Sequence, residues 1–325
     1  MTELLNRLID EPILVLVGPT AIGKTALSFE IVREFDCEII SMDSMQVYRH
    51  MDIGTAKPGK DELKRVRHYL IDIMEPDDQY NAARFIHDCL EAIQSITSRK
   101  KIPLITGGTG LYLTALLNGL FADIPVKDTV KQKLGIRLVD SGLPALYEEL
   151  GAVDPVSAAR IHKNDKQRIL RGLEIFYSTG TSWSEHLEQQ KKHRPPVRFT
   201  RLLEIGLTCE RELLCRRIEQ RSGIMVEQGL VDEVKTLRTM GYDSSLPSMQ
   251  SIGYRHANQL LDGNWNLAEM KEYLVRDTRR YAKRQMTWFR RNSNLRWYER
   301  TESSRVISDI GRLLNLDFQQ DTRCV

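Results

Sequence analysis

The segment Gly18-Pro19-Thr20-Ala21-Ile22-Gly23-Lys24-Thr25 constrains this chain more than any other stretch. It follows the apolar run Ile13-Leu14-Val15-Leu16-Val17 and leads into Ala26-Leu27-Ser28-Phe29-Glu30. Strand, glycine-rich loop, then helix is the order a phosphate-binding P-loop requires. Gly18 and Gly23 allow a tight turn and close approach of backbone N–H groups to phosphate oxygens. The helix that follows turns its positive end toward the anion. Lys24 adds a point charge, and Thr25 offers a hydroxyl to Mg²⁺. The loop implies a bound polyphosphate and leaves open which one.

The rest of the first half alternates strand and helix. Cys37-Glu38-Ile39-Ile40-Ser41-Met42-Asp43-Ser44 predicts a second core strand with a carboxylate at its C-terminal tip, where ligands sit in open α/β sheets. Gly54 to Pro58 marks a loop, and His68 to Ile73 predicts a third strand. Ala83, Ile86, Leu90 and Ile93 recur at helical spacing within 81–99. Ile102 to Thr106 predicts another buried strand, followed by a second glycine turn, Gly107-Gly108-Thr109-Gly110-Leu111-Tyr112. The fold class is therefore α/β, a parallel-sheet core like that of P-loop nucleoside-triphosphate hydrolases.

The pattern changes near Pro125. From there to Pro195-Pro196 the chain predicts helices, with starts at Asp154-Pro155 and Asn164-Asp165 and a polar, basic linker from Gln189 to Pro196. Leu202 to Leu207 then resumes a strand, Glu210 to Gln220 a helix, and a long helix begins at Leu267. Three segments follow: 1–125 as the first part of the core, 126–196 as a helical insertion, and 197–325 as the return to the core with basic C-terminal helices.

Charge follows the same division. Residues 1–125 carry 13 Lys/Arg against 18 Asp/Glu, so the remainder of a chain of net charge +3 carries +8. Nine Lys/Arg and two acids fall within 276–300. A basic second half beside a phosphate-binding first half points to a polyanionic partner, although a solvated helix face has the same composition. The five cysteines are scattered, with no C-x-x-C pair, which supports neither a zinc site nor a disulfide framework. No run approaches the ~18 apolar residues of a membrane span, and the first residues lack a secretory or presequence pattern. A cytoplasmic location and no membrane association are expected.

Several residues carry chemistry. Asp43 can bind Mg²⁺, orient a substrate hydroxyl or take a proton; its bland alternative is a turn or helix cap. Thr109 borders the crevice if the second glycine turn lies beside the P-loop. Arg217 and Arg221 share one helix face and suit phosphate neutralisation, or a surface ion pair with Glu219 or Glu210. Gln167, Arg168 and Arg171 offer amide and guanidinium groups to bases and phosphates. Gln250-Ser251-Ile252-Gly253-Tyr254-Arg255 combines a glycine turn, an aromatic and an arginine. Lys283-Arg284-Gln285-Met286-Thr287-Trp288-Phe289-Arg290 interleaves basic and aromatic residues, as single-stranded RNA binding requires, though core packing is the plainer role for Trp288 or Phe289. An N-K-x-D guanine motif and a clear acidic Walker-B strand are both missing, which argues against a GTPase and an ATP-driven motor.

The ordered set G-P-T-A-x-G-K-T, I-I-S-x-D-S-M-Q-V-Y-R, M-D-I-G-T-A-K-P, G-G-T-G-L-Y, D-P-x-x-A-A-R-I-H-x-N-D-x-Q-R-I-x-R at 154–171, Q-S-I-G-Y-R at 250–255 and K-R-Q-x-T-W-F-R at 283–290 resembles the bacterial tRNA dimethylallyltransferase (isopentenyl-diphosphate:tRNA transferase) family. The likeness runs from Pro12 to Arg300. It implies transfer of a dimethylallyl group from dimethylallyl diphosphate to N6 of the adenosine 3′-adjacent to the anticodon, in tRNAs reading codons that begin with U. It implies Asp43 as general base, with Thr109 and Arg221 also catalytic, and Gly18 to Thr25 on the diphosphate with Mg²⁺. It implies contacts to the tRNA anticodon stem-loop from Asp43, Ser44, Met45 and Gln46; from Gln167, Arg168, Ile169, Leu170 and Arg171; and from 250–255 and 283–290. Lys131 stands where the family commonly has Arg, keeping charge without the bidentate fork. A monomer is expected. A P-loop small-molecule kinase, or an isopentenyltransferase acting on free adenine nucleotide, are the alternatives.

Overall fold

The computed structural model describes residues 7–119, 124, 126–191 and 197–321. Two compact units emerge, one formed by the chain up to Leu116 together with everything from Val197, the other by Leu117–Pro196. The first unit opens with β1 (Arg7–Ile9), β2 (Ile13–Val17), α1 (Lys24–Glu34), β3 (Cys37–Met42), α2 (Lys60–Arg65), β4 (His68–Tyr69), α3 (Ala82–Thr97), β5 (Ile102–Gly107) and α4 (Gly110–Asn118). The second unit holds α5 (Asp128–Val153), α6 (Pro155–Arg160), α7 (Lys166–Thr179) and α8 (Trp183–Lys191). The chain then returns with β6 (Val197–Phe199), β7 (Leu202–Thr208), α9 (Arg211–Glu227), α10 (Leu230–Thr239), α11 (Tyr254–Leu261), α12 (Leu267–Phe289), β8 (Arg296–Glu299) and α13 (Ser303–Asp321).

The main sheet has six parallel strands in the order β4-β3-β5-β2-β7-β8. Its central strand β2 is a continuous apolar run, as a strand covered on both faces must be. All five of its side chains are fully buried, each worth roughly 1.5–3 kcal/mol as an upper bound. β1 and β6 form a separate parallel pair. Val17 and Met42 both pair with Gly107, so the C-terminal tips of β2, β3 and β5 end level at one edge. A Cβ on Gly107 would stand 2.0 Å from the Met42 carbonyl oxygen, so only glycine permits this approach. The P-loop leaves β2 here, Asp43 leaves β3 and the second glycine turn leaves β5, which makes this edge the crevice of the sheet.

The expected strand over His68–Ile73 shrinks to His68–Tyr69, because Leu70 (φ 63°) and Asp72 (φ 56°) turn the backbone left-handed. The expected helix from Glu210 continues to Glu227. The last residues, for which the sequence indicates nothing, carry α13, whose Val306 and Ile310 join the core cluster of β2 and α1.

In the second unit both expected helix starts are present. Asp154 accepts from Ser157 N (2.9 Å) and Ser184 N (2.9 Å), and Asp165 accepts from Arg168 N (3.2 Å), so two carboxylates cap α6 and α7. α5 is broken at Gly142, whose φ of 76° only glycine adopts readily, just before Pro144. Leu134, Leu146, Leu150, Ile169 and Leu173 fill this unit's core. The unit begins at Leu117, ahead of the change in composition at 126. Pro125 lies outside the described residues, as does the linker beyond Lys191, whose first residues belong to α8. Among the described residues no helix is long and apolar enough to cross a membrane.

Candidate active site

Gly23 caps α1 in the left-handed region (φ 103°), which lets the P-loop turn directly into the helix. Lys24 Nζ donates to the carbonyls of Gly18 (2.9 Å) and Pro19 (2.8 Å), so the ammonium is fixed across its own loop. Burial and the neighbouring Arg221 pull its pKa down to about 7, against a smaller opposing pull from Asp43. α9 supplies two guanidinium groups. Arg221 Nη1 donates to Thr20 Oγ1 (3.2 Å) and Arg217 Nη1 to Ile22 O (3.3 Å), so both residues that share this face grip the loop. Glu219, one of the two acids considered as a surface partner, takes Arg279 at 2.9 Å. Burial lowers the Arg221 pKa while Asp43 opposes the shift. An arginine in such a place stays charged at neutral pH.

Asp43 follows β3. Its Oδ1 accepts from Met45 N (2.9 Å) and Gln46 N (3.3 Å), which makes the turn reading correct for one oxygen only. Thr109 Oγ1 accepts from Ser44 N (3.1 Å), and Thr109 N donates to Met42 O (3.3 Å). The second glycine turn therefore clamps the tip of β3 and fixes where the carboxylate stands. Gln46 accepts from Ser41 Oγ (2.9 Å) and spends its amide on the carbonyls of Thr55 and Ala56 (both 3.4 Å). Lys24, Thr25, Asp43, Gln46, Thr55, Gly108, Arg221, Tyr281 and Gln285 line one cavity of about 370 Å³.

Tyr254 and Ile169, expected at an RNA surface, are core instead, and Phe289 takes the plainer core-packing role. Tyr254 is fully buried, its ring packed where a Cβ on Gly54 would intrude at 2.3 Å. Its hydroxyl donates to Glu233 (2.6 Å), whose carboxylate also accepts from the backbone N–H groups of Asp52, Ile53 and Gly54. Phe289 is 1% exposed and Ile169 is fully buried. Trp288 is half-buried; its indole N–H donates to Thr114 Oγ1 (3.0 Å) and its ring fills the space a side chain at Gly110 would need. Stacking on RNA bases is therefore not available to Tyr254 or Phe289 in this fold.

Gln285 also departs from expectation. It is 6% exposed and faces the P-loop rather than solvent. Its Oε1 accepts from Thr20 N (2.9 Å) and its Nε2 donates to Gly108 O (2.9 Å), joining the phosphate loop to the second glycine turn. Within 283–290, Lys283, Arg284, Thr287 and Arg290 stay exposed, with Met286 half-buried. Gln250 is exposed, Ser251 and Ile252 are half-buried, Gly253 is buried, and Arg255 pairs with Asp277 (2.6 Å). Within the second unit Gln167 is exposed, Leu170 half-buried, Arg168 pairs with Asp165 (2.9 Å), Arg171 lies 3.8 Å from Glu174 and Lys131 pairs with Asp128 (2.9 Å).

Residue patterns missed Tyr281 and Glu233. Tyr281 lies on the apolar face of α12 four residues before Gln285, and burial, with the charge of Asp43 behind it, raises its phenol pKa. Nothing local in the sequence ties it to the cavity. Glu233 shows no signal at all, since its carboxylate serves a loop some 180 residues earlier in the chain.

A profile described as IPP transferase matches residues 46–292. The chain belongs to the IPP transferase family. It is 50% identical over 306 residues to the tRNA dimethylallyltransferase of Desulfotalea psychrophila, covering 94% of this chain and 96% of that one. It is 43% identical to the protein of the same name from Syntrophobacter fumaroxidans, over 94% of this chain and 88% of the relative. The crystal structure of the full-length tRNA isopentenylpyrophosphate transferase from Bacillus halodurans is similar at TM-score 0.69 and 37% identity, covering 96% of this chain and all (100%) of that one. A eukaryotic dimethylallyltransferase, captured acting on tRNA, is similar at TM-score 0.73 and 29% identity, over 89% of this chain and 74% of that one. As a family member this chain is a prenyltransferase, and the kinase alternative finds no support among these relatives.

Proposed function

We propose that this enzyme transfers a dimethylallyl group from dimethylallyl diphosphate to N6 of the adenosine 3′-adjacent to the anticodon, in tRNAs reading codons that begin with U, leaving N6-isopentenyladenosine and diphosphate. One observation carries the reading: a P-loop with Lys24 and Arg221 upon it shares a single cavity with the carboxylate of Asp43. Anion-binding groups and a base thus stand on one small space. That is the arrangement for expelling diphosphate while deprotonating the incoming nucleophile.

The allylic C–O bond breaks with its electron pair going to diphosphate, and the N6–C bond forms. The loop N–H groups, Lys24 and Arg221 stabilise the charge that develops on the leaving oxygen. Asp43 orients N6 and accepts its proton. Adenine N6 is a weak nucleophile, so its alignment matters as much as the base. The purine is drawn out of a stacked loop at a cost of a few kcal/mol. Outward cations offset that cost through phosphate contacts: Lys283 and Arg284 on α12, Arg290 just past its end, and Lys131, Arg168 and Arg171 in the helical insertion. The Thr25 hydroxyl is a hard oxygen donor on this cavity and would hold Mg²⁺ there. When bound, Mg²⁺ supplies further charge to the leaving diphosphate. A tRNA substrate fits a cytoplasmic enzyme.

Incubation of the protein with labelled dimethylallyl diphosphate, Mg²⁺ and unmodified tRNA, followed by nucleoside analysis, is expected to give N6-isopentenyladenosine. Parallel reactions with AMP as acceptor are expected to give no product. Prenylation of AMP but not of tRNA would refute the proposal.

Gln285→Met keeps the bulk of the side chain and removes both hydrogen bonds that tie the phosphate loop to the second glycine turn. Loss of two neutral hydrogen bonds is expected to weaken inorganic diphosphate binding by on the order of tenfold, read by calorimetry. Affinity for tRNA measured without donor is expected to stay within about twofold, because this side chain faces inward. A variant with unchanged diphosphate binding but weakened tRNA binding would return Gln285 to the RNA surface.

A further inference from the structure

One carboxylate at the middle of α12 gathers three guanidinium groups. Asp277 Oδ2 takes Arg255 Nη2 at 2.6 Å, and Asp277 Oδ1 takes Arg276 Nε at 3.1 Å and Arg280 Nη1 at 3.4 Å. Asp277 is largely shielded, whereas the side chains of Arg276 and Arg280 are 45% and 64% exposed. His256 Nε2 lies 3.3 Å from the same carboxylate but is fully buried, and burial with Arg255 beside it pushes the imidazole down to about 4, so it adds no charge at neutral pH. Three fixed positive charges on one negative charge leave two uncompensated. The guanidinium of Arg276 is further steadied over the Tyr273 ring, 4.5 Å from its centroid.

This cluster flanks a groove of about 740 Å³ between α9 and α12. The acids on the groove, Glu219 and Glu272, are equalled in number by Arg279 and Lys271, so the surplus of the cluster is not cancelled. Along α12 from Arg276 to Arg290 the helix rises about 21 Å. A nucleic acid strand carries a charge about every 3.4 Å along the axis. The outward cations of α12 therefore span several phosphates, more than the one nucleotide that enters the cavity.

We propose that Arg276 and Arg280, held with Arg255 on Asp277, form a second phosphodiester-binding site that takes the backbone of the tRNA anticodon stem. This rests on the tRNA reading above. Ordinary solvated ion pairs contribute little, and each of these guanidiniums loses rotamer freedom to Asp277 already. The ordering cost that a phosphate contact usually carries is thus met before the RNA arrives. The site sets affinity and register, and it does not touch the reacting atoms.

The test is the double variant Arg276→Ala/Arg280→Ala, both changes lying on an exposed helix face. Binding of full-length tRNA and of a single-stranded oligonucleotide with the anticodon-loop sequence is measured over a range of KCl. For tRNA, the slope of log K against log salt is expected to become shallower by about 1.5, and affinity at ~0.1 M salt to fall by on the order of tenfold. The loop oligonucleotide is expected to bind as it does to the parent, and kcat at saturating tRNA to stay unchanged. An unchanged slope in a variant of parental melting temperature, while the parent binds tRNA, overturns the site. An equal loss for the loop oligonucleotide overturns the assignment to the stem. If the parent protein itself binds no tRNA at any salt, the failure is that of the proposed function and carries this site with it.

Discussion

Asp43→Asn is expected to lower single-turnover prenyl transfer by roughly 10²–10⁴-fold, the span of a lost general base. The asparagine is the informative change. Asp43 Oδ1 already accepts from Met45 N and Gln46 N, and an amide oxygen can keep both bonds. The turn at the tip of β3 then survives, and Ser44 N still donates to Thr109. Only the basic oxygen is lost. Affinity for tRNA is expected to stay near that of the parent, because no cation toward RNA has been removed. Asp43→Ala loses the turn as well, so its larger defect includes mispositioning of Met45 and Gln46. If Asp43→Asn retains most of its rate, proton removal from N6 belongs to another group.

Lys24→Ala is expected to reduce kcat/KM for the prenyl diphosphate by roughly 10²–10³-fold, the scale of losing one preorganised charge-stabilising group. The pH dependence is more discriminating than the loss. Burial and Arg221 lower the pKa of free Lys24 to about 7. Bound diphosphate favours the ammonium and raises that pKa, so binding takes up a proton at pH values above about 7. Donor affinity is therefore expected to fall as pH rises from about 7 toward 9, by at most tenfold per pH unit, and the Lys24→Ala protein is expected to lack that limb. Stability runs the other way. The folded pKa lies below the unfolded value of 10.5, so the unfolded chain holds more protons between the two. The parent is thus expected to gain stability over that interval relative to Lys24→Ala, seen as a difference in melting temperature between the two that grows in the parent's favour with pH. A donor affinity that is flat with pH in the parent would show that Lys24 remains fully charged in the loop.

The parts of the site legible in the sequence are those whose chemistry is local. Gly18 to Thr25 needs only a strand before it and a helix after it, and both are written in adjacent residues. Asp154 and Asp165 announce helices because a cap acts three residues ahead. Residues whose roles depend on distant partners were read by type alone and so were misplaced. Gln285 and Trp288 sit in a basic, aromatic stretch that looks like an RNA surface, yet their partners, Thr20, Gly108 and Thr114, lie more than 170 residues earlier in the chain. Tyr254 looked like a stacking platform beside Arg255. Its fate was decided by Gly54, which makes room for the ring, and by Glu233, which accepts a hydrogen bond from its hydroxyl. The strand expected at His68–Ile73 failed for a backbone reason, since left-handed Leu70 and Asp72 cannot continue a ladder. The pairing of Arg217 and Arg221 was visible as a spacing of four, whereas their target was visible only once α9 was seen against the loop.

The central claim is that the P-loop holds a leaving group, not a phosphoryl donor. A single-turnover reaction with donor labelled separately in the prenyl carbon and in the diphosphate tests it most directly. The account predicts that every prenyl label lost from the donor appears on adenosine N6 in tRNA, with one intact diphosphate released for each, and that ATP in place of the donor is left unchanged. Phosphate transferred from ATP to any acceptor, or diphosphate released without alkylated tRNA, would contradict it.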